Sequence, residues 1–120
     1  MIREIIINGT GHVMKASGAT PRIYRGICGR DLLTDIAKLD SGKYTPKTLQ
    51  IYEDLAYTMA RQGNDALADD DVRKNHEFPL TPDEWLDTIE VMDIYDVLPQ
   101  IARMWRDSNT ATVAAKKNNE

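Results

Sequence analysis

TPDEWLDTIEVMDIYDVLPQIARMW, residues 81–105, begins with a sharply marked helix start and goes on in helical rather than strand-like spacing. Thr81 is a capping residue, Pro82 suits the first helical position, where no N–H is needed, and Asp83 and Glu84 set negative charge at the positive end of the helix dipole. Trp85, Leu86, Ile89 and Met92 fall on one face. A proline inside a helix costs about 3 kcal/mol, so Pro99 predicts a break between Glu90 and Asp96 and a further helix with Pro99 near its start. Ile94, Val97, Leu98, Ile101, Met104 and Trp105 supply the apolar face of that helix. After Asp107 the residues SNTATVAAKKNNE lack a core pattern, which predicts a flexible tail over 108–120.

Moving towards the N-terminus, the same Thr-Pro signal recurs twice. Thr45-Pro46 opens a helix with a buried stripe of Leu49, Tyr52, Leu55, Ala56 and Met59, predicted to end near Gln62-Gly63. Thr20-Pro21 opens another, with Ile23, Tyr24, Ile27 and Cys28 at helical spacing. Gly26 and Gly29 should weaken or bend it before it resumes with Leu32, Leu33, Ile36 and Leu39 and stops at Asp40-Ser41-Gly42. Between the helix opened at Thr45 and the one opened at Thr81, Asn64 to Leu80 reads as a long solvated connection with at most a turn of helix, a length that often marks mobility or a binding segment. At the start of the chain, Asn8-Gly9 separates Ile5-Ile6-Ile7 from His12-Val13-Met14, the short-range signal for a hairpin, here with strands over 2–8 and 11–16. The expected fold is α+β, mostly α, with a short N-terminal β-hairpin followed by about four helices in one domain over residues 2–107.

With 42% hydrophobic and 28% charged residues the chain has the composition of a folded globular protein rather than a disordered one. No apolar run approaches the roughly 18 residues of a membrane span, and Met1 to Asn8 is too short for a signal peptide, so a cytoplasmic location without membrane contact is expected. The single cysteine, Cys28, agrees with a reducing compartment and reads as filler on a helix. A net charge of −4 and the lack of a Lys/Arg cluster argue against nucleic acid as a partner. The charge is unevenly spread: residues 65–96 hold eleven acids against Arg73 and Lys74, a net of −9, whereas residues 1–64 hold nine bases against six acids, a net of +3. Opposite faces of that kind could meet between copies, head to tail.

Catalytic chemistry is not encoded in any recognisable form. The histidines are His12, in the predicted hairpin, and His76, in the connection, and neither has an evident partner for acid–base work or for Cys28. Asp69-Asp70-Asp71 are consecutive and cannot easily converge on one metal ion. Gly9 and Gly11 belong to no phosphate-binding motif. The reading is of a non-enzymatic protein with no catalytic residue, metal or cofactor.

In their order along the chain, four pieces resemble the tail assembly chaperones of siphovirus-type phages and prophages of Gram-positive bacteria: the hairpin split by Ile7-Asn8-Gly9, RIYRGICGRDLLTDIAKL (residues 22–39), LQIYEDLAYTMAR (residues 49–61) and PDEWLDTIEVMDIYDVLPQIARMW (residues 82–105). The resemblance covers about residues 2–106 and rests on the order of elements and on the Trp-Leu-Asp and Val-Leu-Pro segments. It implies a protein of the host bacterial cytoplasm that binds and solubilises the tape-measure protein, recruits tail-tube subunits, self-associates, and is left out of the mature virion. Helix faces bearing Trp85, Ile89, Tyr95, Leu98, Ile101 and Trp105 are the expected partner-binding residues, with the neighbouring acids supplying solubility. The alternative is a small helical adaptor or regulatory protein of a mobile element, binding a host or phage protein.

Overall fold

The computed structural model describes residues 1–39 and 45–118, with side chains as far as Asn109. Strands β1 (Ile2–Ile7) and β2 (Thr10–Lys15) pair antiparallel, Ile7 opposite Thr10 and Ile2 opposite Lys15. Asn8 and Gly9 form the whole turn, with φ of 50° and 75°; two left-handed residues in succession match the twist of the strands, and Asn-Gly is the pair that tolerates them best. The pairing therefore starts at Thr10 and ends a residue short of the predicted limits on both strands. Ile5, Ile7 and Met14 are buried on one face, while Ile2 and Ile6 are exposed on the other. A two-stranded sheet is marginal alone, and helices flank it on both sides.

Helix α1 (Thr20–Cys28) ends where Gly29 turns left-handed at φ 75°, its N–H bonding to Arg25 O. Gly26 stays within the helix, so the interruption expected from two glycines comes from Gly29 alone. Asp31 then caps α2 (Leu32–Leu39), accepting from the Thr34 N–H at 2.9 Å. The predicted stop at Asp40-Ser41-Gly42 lies outside the described residues. Helix α3 (Pro46–Ala66) begins with a full capping box between Thr45 and Thr48 and runs through the middle of the molecule, burying Ile51, Leu55, Ala56, Tyr57, Met59 and Ala60. It passes Gly63 without ending, contrary to the reading of that glycine as a stop. The reason is packing: a Cβ at Gly63 would lie 2.0 Å from the carbonyl oxygen of Val13. Glycine here lets α3 touch the backbone of β2.

The connection from Leu67 to Thr81 holds no regular helix, yet it is tied back rather than loosely solvated. The Asn64 amide both donates to Asn75 O and accepts from Asn75 N–H, Lys74 Nζ donates to Leu67 O, and the Tyr57 hydroxyl donates to Pro79 O at 2.6 Å. Phe78 packs against the Tyr57 ring.

Thr81 caps α4 (Pro82–Leu86) as expected, accepting from Glu84 N–H, but the helix lasts five residues. Thr88 and Ile89 N–H groups bond three residues back, to Trp85 O and Leu86 O, and the Thr88 hydroxyl also takes Trp85 O at 2.6 Å. That tight turn ends α4 and places the break before Val91 rather than within 90–96. Helix α5 (Val91–Asn118) therefore contains Pro99 in its third turn, not near its start. Pro99 and Tyr95 are both exposed, and the Tyr95 carbonyl is the one that loses its helical donor to the proline. The helical backbone also continues past Asp107 to Asn118, where the sequence pattern ended the regular structure. Arg3 donates to Asp107 at 2.9 Å and Gln100 to Ile6 O at 3.0 Å, fastening α5 to β1. The outcome is a hairpin followed by five helices, mostly α, as the composition of signals predicted.

Candidate protein-binding surface

Arg30 is the hub that fixes α1, α2 and α3 to one another. Its guanidinium donates to Asp35 Oδ2 at 2.8 Å, to the Tyr24 hydroxyl at 3.1 Å and to Asp54 Oδ2, and it lies 5.7 Å from the centre of the Tyr24 ring. The Tyr24 hydroxyl in turn donates to Asp35 at 2.7 Å. Burial opposes charge on Asp35, but the hydrogen bonds from Tyr24 and Arg30 outweigh it and hold the carboxyl below its usual range. Burial and the bond to Asp35 push the Tyr24 phenol far up, so it stays protonated. Every polar group in this cluster has a partner, which marks it as structural glue.

Three of the six predicted contact residues belong to the interior. Trp85 packs edge-on to Tyr57 with ring centroids 6.2 Å apart, and Trp85, Leu98 and Ile101 are 5%, 4% and 0% exposed. Ile89 is half-buried against the same core. Trp105 lies partly covered beside Ile36, Leu39 and Tyr52, with a buried Nε1–H that has no acceptor among the described residues. Tyr95, at 61% exposure, is the member of the set that faces solvent.

Its neighbours Val91 and Met92, each 72% exposed, complete an apolar patch; Met92, expected on one face with Trp85, Leu86 and Ile89, turns outward because the break before Val91 puts it on α5 rather than on their helix. Positions 91, 92 and 95 share one side of α5 because one turn of helix brings 91 and 95 together with 92 beside them. Acids surround them: Asp87, Glu90, Asp93 and Asp96, none in an ion pair among the described residues. Beside the patch runs a shallow groove of about 240 Å³ between the starts of α3 and α5, lined by Pro46, Leu49, Glu53, Ile94, Tyr95 and Leu98. Partial burial, then the nearby Asp54 and Asp83 charges, raise the Glu53 carboxyl above its usual range. The surface thus offers apolar contact inside strongly negative potential, suited to an apolar helix with basic flanks.

The residues set aside for chemistry are spread apart. His12 is half-buried, and burial lowers its imidazole; it lines a cavity of about 220 Å³ with Asn64, Arg73, Phe78 and Trp85 that includes neither His76 nor Cys28. Cys28 donates to Tyr24 O within α1. Asp71 pairs with Arg73 at 2.7 Å and Asp69 with Lys74 at 3.1 Å, and among the described residues no group of three or more His, Cys, Asp or Glu is placed to hold a metal ion. Among the described residues, too, no helix is long and apolar enough to cross a membrane.

No protein-family model matches the chain, and comparison with curated proteins and with solved structures returns no match either.

Proposed function

We propose that this chain is a non-enzymatic tail assembly chaperone of a siphovirus-type phage or prophage, which covers apolar segments of the tape-measure protein in the host cytoplasm and recruits tail-tube subunits before leaving the assembly. The observation that carries the reading is the acid-ringed patch of Val91, Met92 and Tyr95 beside the α3–α5 groove. A chaperone for a long helical client needs apolar contact that does not itself aggregate, and unpaired acids around a small apolar patch meet that need. Tyr95 keeps its predicted role in this reading, joined by Val91 and Met92. Leu98 and Ile101 act behind it by holding α5 against the core, and Trp85 holds α4 against Tyr57 of α3.

Co-expression with the long, helical, tape-measure-like protein encoded beside this chain tests the proposal. The expected result is a soluble complex with several copies of the chain per client, lost in Tyr95→Asp while the variant's own melting temperature is unchanged. If the client stays insoluble beside abundant folded chain, the proposal fails and an adaptor for some other protein becomes the better reading.

A further inference from the structure

The two outer edges of the hairpin differ. Ala16 N–H bonds to Met1 O, so in the register of the hairpin the bonded pairs continue as Arg3 with Met14, Ile5 with His12 and Ile7 with Thr10. The alternate residues turn their backbone groups away from the partner strand: Gly11, Val13 and Lys15 on β2, and Ile2, Glu4 and Ile6 on β1. On β2 the Val13 carbonyl meets Gly63, where α3 closes that edge. On β1 the Gln100 side chain takes the Ile6 carbonyl, while the N–H groups of Ile2, Glu4 and Ile6 and the carbonyls of Ile2 and Glu4 have no partner among the described residues. The same three residues share the sheet face turned away from the core, and all three are exposed. The cation of Glu4 is Arg73, 3.8 Å away and already held by Asp71 through two of its nitrogens.

We infer that β1 receives an extended segment of a partner protein as a third strand, with a basic residue opposite Glu4 and apolar residues two positions to either side, opposite Ile2 and Ile6. An extended backbone is what supplies donors and acceptors at the spacing of every second residue of a strand. Cross-strand neighbours on the exposed face then match, apolar on apolar at the two ends and opposite charges in the middle. A second copy of β1 does not fit: in the matching antiparallel register it would set Glu4 against Glu4, and like charges directly opposite are unfavourable. One carboxylate thus guards the edge against self-pairing and selects a basic occupant. The strand site shares no residue with the Val91/Met92/Tyr95 patch and does not require the chaperone reading.

Two capped heptapeptides, TVTKTVT and TVTETVT in one-letter code, test this by amide NMR of the chain. With the lysine peptide at millimolar concentration, the amide protons of Ile2, Glu4 and Ile6 should move downfield and exchange more slowly with solvent, while those of Val91, Met92 and Tyr95 stay in place. The glutamate peptide should do neither. Glu4→Lys should reverse the preference, responding at Ile2 and Ile6 to TVTETVT and no longer to TVTKTVT. Glu4→Pro removes an N–H that the β1–β2 ladder does not use, so it should keep the cross-strand contacts of the hairpin and lose both peptides. Three silent amides with TVTKTVT overturn the inference, as does an equal response to the two peptides or a Glu4→Pro chain that still binds. Should Glu4→Pro not fold, a preference left unchanged by Glu4→Lys overturns it as well. Downfield movement of the same amides in the wild-type chain alone, growing with its concentration, makes a second copy the occupant and overturns it too.

Discussion

Charge is used in opposite ways at two places on this molecule. Around Arg30, carboxylates from α2 and α3 are drawn inward onto one guanidinium and a phenol, and every donor finds an acceptor. From Asp87 to Asp96 the carboxylates lie at or near the surface, and none is in an ion pair among the described residues. The first arrangement resists change because removing one member strands the others. The second contributes little to stability and is therefore available for recognition. Stability and binding thus lie on separate residues, and substitutions should separate them too.

The sharpest way to break this contrast is Arg30→Ala, which takes the closest cation from both Asp35, with 3% of its side chain exposed, and Asp54, leaving Asp35 only the Tyr24 hydroxyl and Lys38 at 3.8 Å. A loss of about 3 kcal/mol or more is expected in urea unfolding, with Arg30→Lys recovering only part because one ammonium cannot serve Asp35, Asp54 and Tyr24 together. Gly63→Ala should cost about 1–3 kcal/mol by forcing α3 away from Val13, and a melting temperature equal to wild type would refute the close approach. Thr45→Ala removes the capping box of α3 and should cost about 1 kcal/mol. At the small end, Asp93→Asn with Asp96→Asn should move stability by no more than about 0.5 kcal/mol in urea unfolding while lowering the soluble yield of the co-expressed client.

Acid should also tell the two places apart. The folded-state value of Asp35 lies below its unfolded value of 3.8, so its contribution is complete above 3.8 and is lost as pH falls through the folded value. Glu53 has the opposite sign: its folded value is raised above 4.5, so its charge is a burden near neutrality that disappears as pH falls through that raised value. Glu53→Gln should therefore be more stable than wild type at neutral pH, with the advantage vanishing in acid, whereas Asp35→Asn should be less stable at neutral pH and converge with wild type in strong acid. Urea midpoints over a pH series check both.

Much of the architecture was legible because local chemistry and tertiary context agreed. Asn8-Gly9 specified the hairpin turn, and three Thr-Pro pairs marked the starts of α1, α3 and α4. Helix ends were harder to read. Gly63 looks like a stop from its propensity and is a contact point in the fold; Pro99 looks like a start and sits in the third turn, on the exposed side of α5. The candidate surface was least legible. In α5 both the inward residues, Val97, Leu98 and Ile101, and the outward ones, Val91, Met92 and Tyr95, are apolar, and helical spacing reports a stripe without saying which side meets the core. The acids crowding 87–96 were the available signal for the outward side.

Pro99 has a mechanical consequence. Below it, α5 is clamped by Ile101, Met104 and the Arg3–Asp107 pair; above it, the eight residues from Val91 to Leu98 are seated on Val97 and Leu98 and lack one rung of the backbone ladder. A helix bends most easily where a rung is missing, so this upper length behaves as a short lever hinged at the proline. Because Val97 and Leu98 lie in the packed interior, a tilt of that lever is felt there, and Gln100, which donates to Asp96 O on the lever and to Ile6 O of the hairpin, ties the two together.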